Sequence, residues 1–328
     1  MNEKHQLTSY REKDHGDFFE EWAPHHGCVG WWYITGYLHG LANPEDLYFY
    51  QFTCIRTPIG DTEVLAGMMG FSDFKNNEHI YCIETGVPSD EFYANAEEVH
   101  TKSSLLKLNG GNLSVEGSRE ELQYSINLTP NKPPVWHADN GVLIMGHPDR
   151  SDERTCYWSY TNMSTEGKVT YKRKNGLEIS LKVKGKSWFD RQWGPTSNLL
   201  WDWFSLRFFD GEEIMLFAFP KEGYKDATYI DKNGKSQTFK NYSYVVDKYI
   251  TFNETFKMGL GWDLTIPVKE RHYHIVPLSD DQVNQHPAGC YWEGLSKILN
   301  DKGELVGYAV QEIMPEKSDG GSQRVDTL

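Results

Sequence analysis

No apolar run in the chain approaches the ~20 residues that a membrane-spanning helix needs, so no such span is expected. The first twenty residues, MNEKHQLTSYREKDHGDFFE, lack the apolar centre of a secretory signal, and no export address is expected in them. Cysteine is sparse and scattered: Cys28, Cys54, Cys82, Cys156 and Cys290 form no close pair at metal-ligand or redox-motif spacing, which excludes a structural zinc knuckle. Also missing are a Gly-x-Ser-x-Gly elbow, a phosphate-binding loop and a dinucleotide fingerprint, the marks of serine hydrolases and nucleotide enzymes. Basic residues are outnumbered, 33 Lys and Arg against 47 Asp and Glu, and the net charge of -14 repels a nucleic acid over most of the surface.

Aromatic residues are abundant: 11 Trp, 19 Tyr and 16 Phe make 14% of the chain. Such residues favour pleated, half-buried surfaces and ligand-lining walls. Five N-x-S/T sequons, at Asn112, Asn127, Asn162, Asn241 and Asn253, exceed the roughly two that chance supplies. They favour a secreted glycoprotein that has lost its signal over a cytoplasmic protein with accidental sequons.

From Trp31 the chain runs through short β-rich segments such as GWWYITGYLHG, LYFYQFTCIRT and EVLAGMMGFSDF, broken by Gly, Asn-Pro or Pro-Ile-Gly-Asp turns. Asn109-Gly110, Asn175-Gly176, Asp210-Gly211 and Asn233-Gly234 are hairpin signals. Strands every ~10 residues predict antiparallel barrels or sandwiches, and a short helix over Pro88 to Glu98 is the most helix the pattern allows. The 328 residues suit two cores of roughly 150 each. The expected organisation is an N-terminal domain over 18–195, a C-terminal domain over 196–316, and flexible tails at 1–17 and 317–328.

Four segments in order, GWWYITGYL, GKSWFDRQWG, LLWDWFSLRFFDGEEIMLF and YWEGLSKILNDKGELVGYAVQE, resemble the superfamily of carotenoid 1,2-hydratases, AttH-type lipocalin-like proteins and fungal kievitone hydratase. Gly30 departs from it, standing where many relatives have Glu, and Ala309 to Pro315 do not reproduce the usual ending. The resemblance implies an all-β protein of two lipocalin-like domains in tandem around an apolar cavity. It also implies chemistry on unsaturated, isoprenoid-type substrates: a hydratase, with a pericyclase (Diels-Alderase) or cyclase and a non-catalytic carrier of apolar ligands as alternatives.

Hydrating a trisubstituted alkene takes an acid to protonate one carbon, a surface that tolerates the cation, and a positioned water; it needs no cofactor. Asp190, between Trp188 and Trp193, is the leading proton donor, because an apolar setting raises a carboxyl's pKa and π faces stabilise a cation. The alternative is a structural Asp190 that pairs with the adjacent Arg191 or ties down the crossover between the domains. Glu84 and Glu78 are secondary acids, and Tyr33 is the third catalytic candidate. Candidate substrate contacts are Trp31, Trp32, Tyr157, Trp158, Trp188, Trp193 and Asp202. Strand alternation separates Trp31 and Tyr33 from Trp32 and Ile34, and Tyr157 and Ser159 from Trp158 and Tyr160, without saying which set faces a ligand. His25, His26, His137 and His147 are available as bases. His272 and His274 share one strand face at metal-ligand spacing, yet the sequence supplies no third ligand, and no metal is expected. The partner is a hydrophobic small molecule, and uncovered strand edges leave room for a homodimer.

Overall fold

A computed structural model describes residues 18–268, 270–286 and 289–317 of the chain. The tails expected at 1–17 and 317–328 lie outside these residues, save for the backbone of Lys317. Two curled antiparallel sheets make up the protein, as expected of tandem lipocalin-like domains. Among the described residues the only helix is Phe18–Trp22, and 88–98 holds turns, the Ser89–Phe92 bridge and the strand Tyr93–Ala94 instead.

The chain divides into two compact units. Unit 1 runs to residue 136 and adds 140–142 and 154–195, while unit 2 takes 137–139, 143–153 and everything from 196 onward. Division in space is therefore not strictly sequential, because 137–153 is shared.

In unit 1, the strands Val29–Gly40, Leu47–Ile59, Thr62–Asp73 and Glu78–Gly86 form a meander. A second meander runs from Tyr93–Ala94 through Leu122–Pro130 and Arg154–Lys172 to Glu178–Gly194. The two join where the first strand, Val29–Gly40, pairs with the last, Glu178–Gly194. Tight hairpins bend the chain as the dipeptides predict: Gly176 and Gly234 take φ of 84° and 88°, the left-handed region that glycine enters without a Cβ clash.

Glu84 fastens the far edge of this sheet. Its carboxylate accepts hydrogen bonds from Thr101 Oγ1 (2.6 Å), Ser103 N and Oγ (3.0 Å each) and Arg119 (2.9 Å). Burial alone would raise its pKa, but these donors outweigh burial and hold it below the ordinary value. Glu84 is thus ionised and structural, poorly suited to the proton-donor role considered for it. Because its folded-state pKa is depressed, its stabilisation is present above the ordinary value of 4.5 and fades as the pH falls. Glu84→Gln is expected to cost about 2 kcal/mol at pH 7 and less at pH 3, measured by urea unfolding at both pH values.

Leu122–Pro130 alternates buried and exposed along its length, the pattern of a strand with one wet face. The central strands differ: Trp188 to Gly194 is buried at every residue, and so are Asp202–Phe208 and Glu213–Phe219. One face of the unit 1 sheet packs Trp22, Trp32, Ile34, Phe52, Trp158 and Phe189 into the main core. Its opposite face is equally buried at the centre but carries polar side chains.

Unit 2 follows the same plan. A leading meander from Asp202–Phe208 to Ser236–Phe239 joins a trailing one where the unit's first strand pairs with Leu305–Ile313, and the short strand Glu316–Lys317 that follows pairs with Phe256–Ile266. Phe204, Leu206, Leu216, Trp262, Trp292 and Ile298 belong to its core.

Candidate functional site

Three neighbouring strands at the centre of unit 1 build the site. Tyr33 is the Cα partner of Asp190 on one side, and Ser159 is its partner on the other. Residues directly opposite in a sheet share a face, with Cβ atoms about 5 Å apart. Trp31, Tyr33, Tyr157, Ser159, Trp188, Asp190 and Gln192 are thereby gathered on the face away from the main core.

Asp190 is 3% exposed and, among the described residues, no basic group contributes to its shifted pKa. Trp188 Nε1 donates to Oδ1 at 2.6 Å, Ser159 Oγ makes a short hydrogen bond to the same oxygen, and Tyr157 OH donates to Oδ2 at 3.0 Å. Desolvation dominates: burial pushes the carboxyl up from 3.8 to about 7, against the smaller downward pull of the Ser159, Trp188 and Tyr157 hydrogen bonds. An acid of that pKa holds a proton near neutrality and can release it. Indole N–H only donates, so Oδ1 stays an acceptor, and Oδ2, shared with the reversible Tyr157 hydroxyl, is the oxygen that carries the proton.

The ion pair between Asp190 and Arg191 does not form, because adjacent strand residues point to opposite faces. Arg191 is fully buried on the core side, 4.1 Å over the Trp32 ring, and donates to the carbonyls of Trp22 (3.0 Å), Ala23 (2.7 Å), Trp31 (3.3 Å) and Gln192 (2.8 Å). Burial and the nearby Arg56 lower its pKa to about 9. Gly30 lies on this face too: a Cβ there would meet Trp193 Cβ at 3.0 Å and an Arg191 nitrogen at 3.2 Å. The position that carries Glu in many relatives therefore points toward Arg191 and away from Asp190.

The other sequence candidates separate in the same way. Trp31, Tyr33, Tyr157 and Trp188 share the Asp190 face. Trp32 and Trp158 are core residues, while Trp193 packs with Cys156, stacks on His25 at 3.5 Å and donates to Glu21 at 3.0 Å. These three tryptophans are thus turned away from Asp190. His25 is held neutral, its pKa lowered to about 3 by burial and then by Arg191 and Arg56. His137 is likewise lowered to about 3 by burial. Asp202 shows its side chain to the core face of unit 2, next to Ile313 and Ala218 in register, opposite to Trp203. Glu78 accepts from the Lys174 backbone N at 3.3 Å.

An open pocket of about 600 Å³ lies at one end of unit 1, with Gly40, Tyr48, Lys75, Arg173 and Lys182 among its walls. Seven residues of extended strand separate Gly40 from Tyr33, about 23 Å, so this pocket is not part of the Asp190 site.

Unit 2 has a buried polar face of its own that the sequence did not reveal. Ser205, Met215 and Thr228 stand opposite one another in register, as do Trp203, Phe217 and Asp226. Ser205 Oγ and Thr228 Oγ1 find no hydrogen-bond partner among the described residues. Buried hydroxyls in that state are groups that a ligand or water can satisfy. Asp226 is raised to about 6, chiefly by burial, with Lys240 3.6 Å away pulling the other way. The available signal was polar residues inside strands buried on both sides, and two-sided burial cannot be recognised before the fold is known.

The sequence profile of the AttH-like family matches residues 10–312. The chain belongs to the AttH-like family. Among solved structures, a protein described as an AttH from Nitrosomonas europaea superposes with a TM-score of 0.80 at 20% identity, covering 92% of this chain and 98% of that one. Kievitone hydratase from Nectria haematococca superposes with a TM-score of 0.71 at 17% identity, covering 88% and 90%. No curated protein sequence matches the chain. The likeness to both structures extends over nearly the whole length of the chain. The Asp190 face sits at the centre of the first sheet.

Proposed function

We propose that this AttH-like protein is a cofactor-independent hydro-lyase that adds water to an isoprenoid double bond of a hydrophobic substrate. One observation carries the reading: a carboxyl held near pKa 7 by burial, on a strand face kept separate from the hydrophobic core. A hydratase among the structures of like fold supports the same class of reaction.

In this mechanism Asp190 Oδ2–H gives its proton to one alkene carbon. The π electron pair becomes the new C–H bond, and the other carbon becomes a tertiary cation. Indole and phenol rings on the same face, Trp31, Tyr33 and Trp188, stabilise that charge, each cation–π contact contributing about 1–2 kcal/mol in a dry setting. Hydrogen bonds from Trp188, Ser159 and Tyr157 stabilise the carboxylate left behind. Water then adds to the cation, and its extra proton returns to Asp190, which closes the cycle with atoms and charge balanced.

The test is mass spectrometry after incubation with prenylated phenolics and acyclic carotenoid precursors in water enriched in oxygen-18. A product heavier by one labelled water is expected. An isomer of unchanged mass would replace hydration by cyclisation, and ligand recovered unchanged after tight binding would make the protein a carrier.

A further inference from the structure

The outer face of unit 2 carries a second cluster of chemistry-bearing side chains. His272 and His274 lie on the strand Arg271–Pro277 and alternate onto one face. Their rings are 4.8 Å apart at 86°. Strand pairing supplies the third ligand that the sequence lacked: Asp263, on Phe256–Ile266, is the Cα partner of His274. One ligand atom each from Asp263, His272 and His274 can be chosen so that all three lie within 4.8 Å of one another. Ligand atoms around a four-coordinate zinc are about 3.3 Å apart, given bonds near 2.0–2.1 Å. Half-exposed side chains close the difference by small rotamer shifts.

Two further observations make this more than a chance surface grouping. Asp301 Oδ1 accepts from His272 Nδ1 at 2.7 Å, which fixes the ring's tautomer and leaves Nε2 free to bind a metal. A carboxylate behind a ligating imidazole is the usual outer partner of a histidine metal ligand. Asp247 also reaches the face: a bulge at Val246–Lys248 breaks the register, and the Asp247 carboxylate occupies the space that a Cβ on Gly261 would fill. Gly261 and Asp263 point to the same side of their strand. Three carboxylates thus surround two imidazoles, and His274 Nδ1 shares a 2.5 Å hydrogen bond with Asp263 Oδ1, the contact a metal would open.

We propose that Asp263, His272 and His274 form a binding site for a first-row divalent transition metal of the zinc class, with Asp247 or water in the fourth position. Mixed imidazole and carboxylate ligands suit zinc, cobalt or nickel and disfavour magnesium and calcium, which prefer all-oxygen shells. The site belongs to unit 2, whereas Asp190 belongs to unit 1, and it does not depend on the hydratase reading.

The test is calorimetric titration of the full chain, freed of any affinity tag and stripped with chelator, with zinc chloride. One equivalent is expected to bind with micromolar affinity, and His272→Ala, His274→Ala and Asp263→Asn are each expected to weaken it at least tenfold. Unfolding midpoints in EDTA, equal for wild type and variants, establish that the variants fold. Cobalt(II) bound to the wild-type chain should give the intense visible absorption of a low-coordinate site, a readout independent of any variant. Absence of binding, or unchanged zinc affinity in the His272→Ala/His274→Ala double variant, would overturn the proposal.

Discussion

Asp190→Asn is expected to lower turnover by roughly 10³-fold and, at pH 8, to unfold at higher denaturant than the wild-type protein. The two effects share one cause. Burial that suits Asp190 to the proposed proton-donor role also makes its ionised form costly to the fold. Its carboxyl moves from 3.8 to about 7 on folding, so between these values the folded chain keeps a proton that the unfolded chain has lost. Stability therefore falls as the pH rises through that window, by up to about 4 kcal/mol in all, at about 1.4 kcal/mol per unit. Asn presents the same shape without a charge. The variant should lose this slope between pH 4 and 7 and gain about 3 kcal/mol over the wild type at pH 8.

Measuring urea midpoints at pH 5 and pH 8 checks the stability half without any substrate. A variant less stable than wild type at pH 8 would mean that Asp190 is ionised and paired in the fold, and the acid mechanism would go with it. The activity half uses whichever substrate takes up labelled water. Wild-type kcat/KM should decline above about pH 7, where the proton is lost. Glu84→Gln serves as contrast, because its stability effect has the opposite sign with pH.

Period-two alternation and turn dipeptides were enough to read the strands, the hairpins and the all-β class, because each depends on residues a few positions apart. Asp190 stood out as a candidate for the same local reason, since Trp188 and Trp193 are its neighbours in the chain, although only Trp188 shares its face. Its partners were not. Tyr157 and Ser159 reach it across 33 and 31 residues, and the pairing that brings them there follows a bulge between Tyr160 and Met163 that no local pattern announces. Asp263 joins His272 and His274 only through strand register as well. Face assignment was the other gap. Strands buried on both sides remove the polar alternation that distinguishes a wet face from a dry one, so Trp32, Trp158 and Trp193 read like Trp31 and Trp188 until the sheet is seen.

That gap gives the second large effect, a contrast between two adjacent tryptophans. Trp32 is fully buried, donates from Nε1 to the Trp22 carbonyl at 3.0 Å, meets the Trp22 ring edge-on at 6.3 Å and carries the Arg191 guanidinium over its face. Removing it leaves a cavity and strips one side from a buried cation. Trp32→Ala is expected to cost about 3–5 kcal/mol, a large part of the stability of any domain. Trp31 is only partly buried and shares the Asp190 face, so Trp31→Ala should cost less than about 1 kcal/mol and act on substrate instead, raising KM several-fold. Thermal unfolding of both variants, with kinetics on the Trp31 variant, separates the two roles. Equal losses of stability would mean that both faces are packed core, and the Asp190 face would then have no room to receive a substrate.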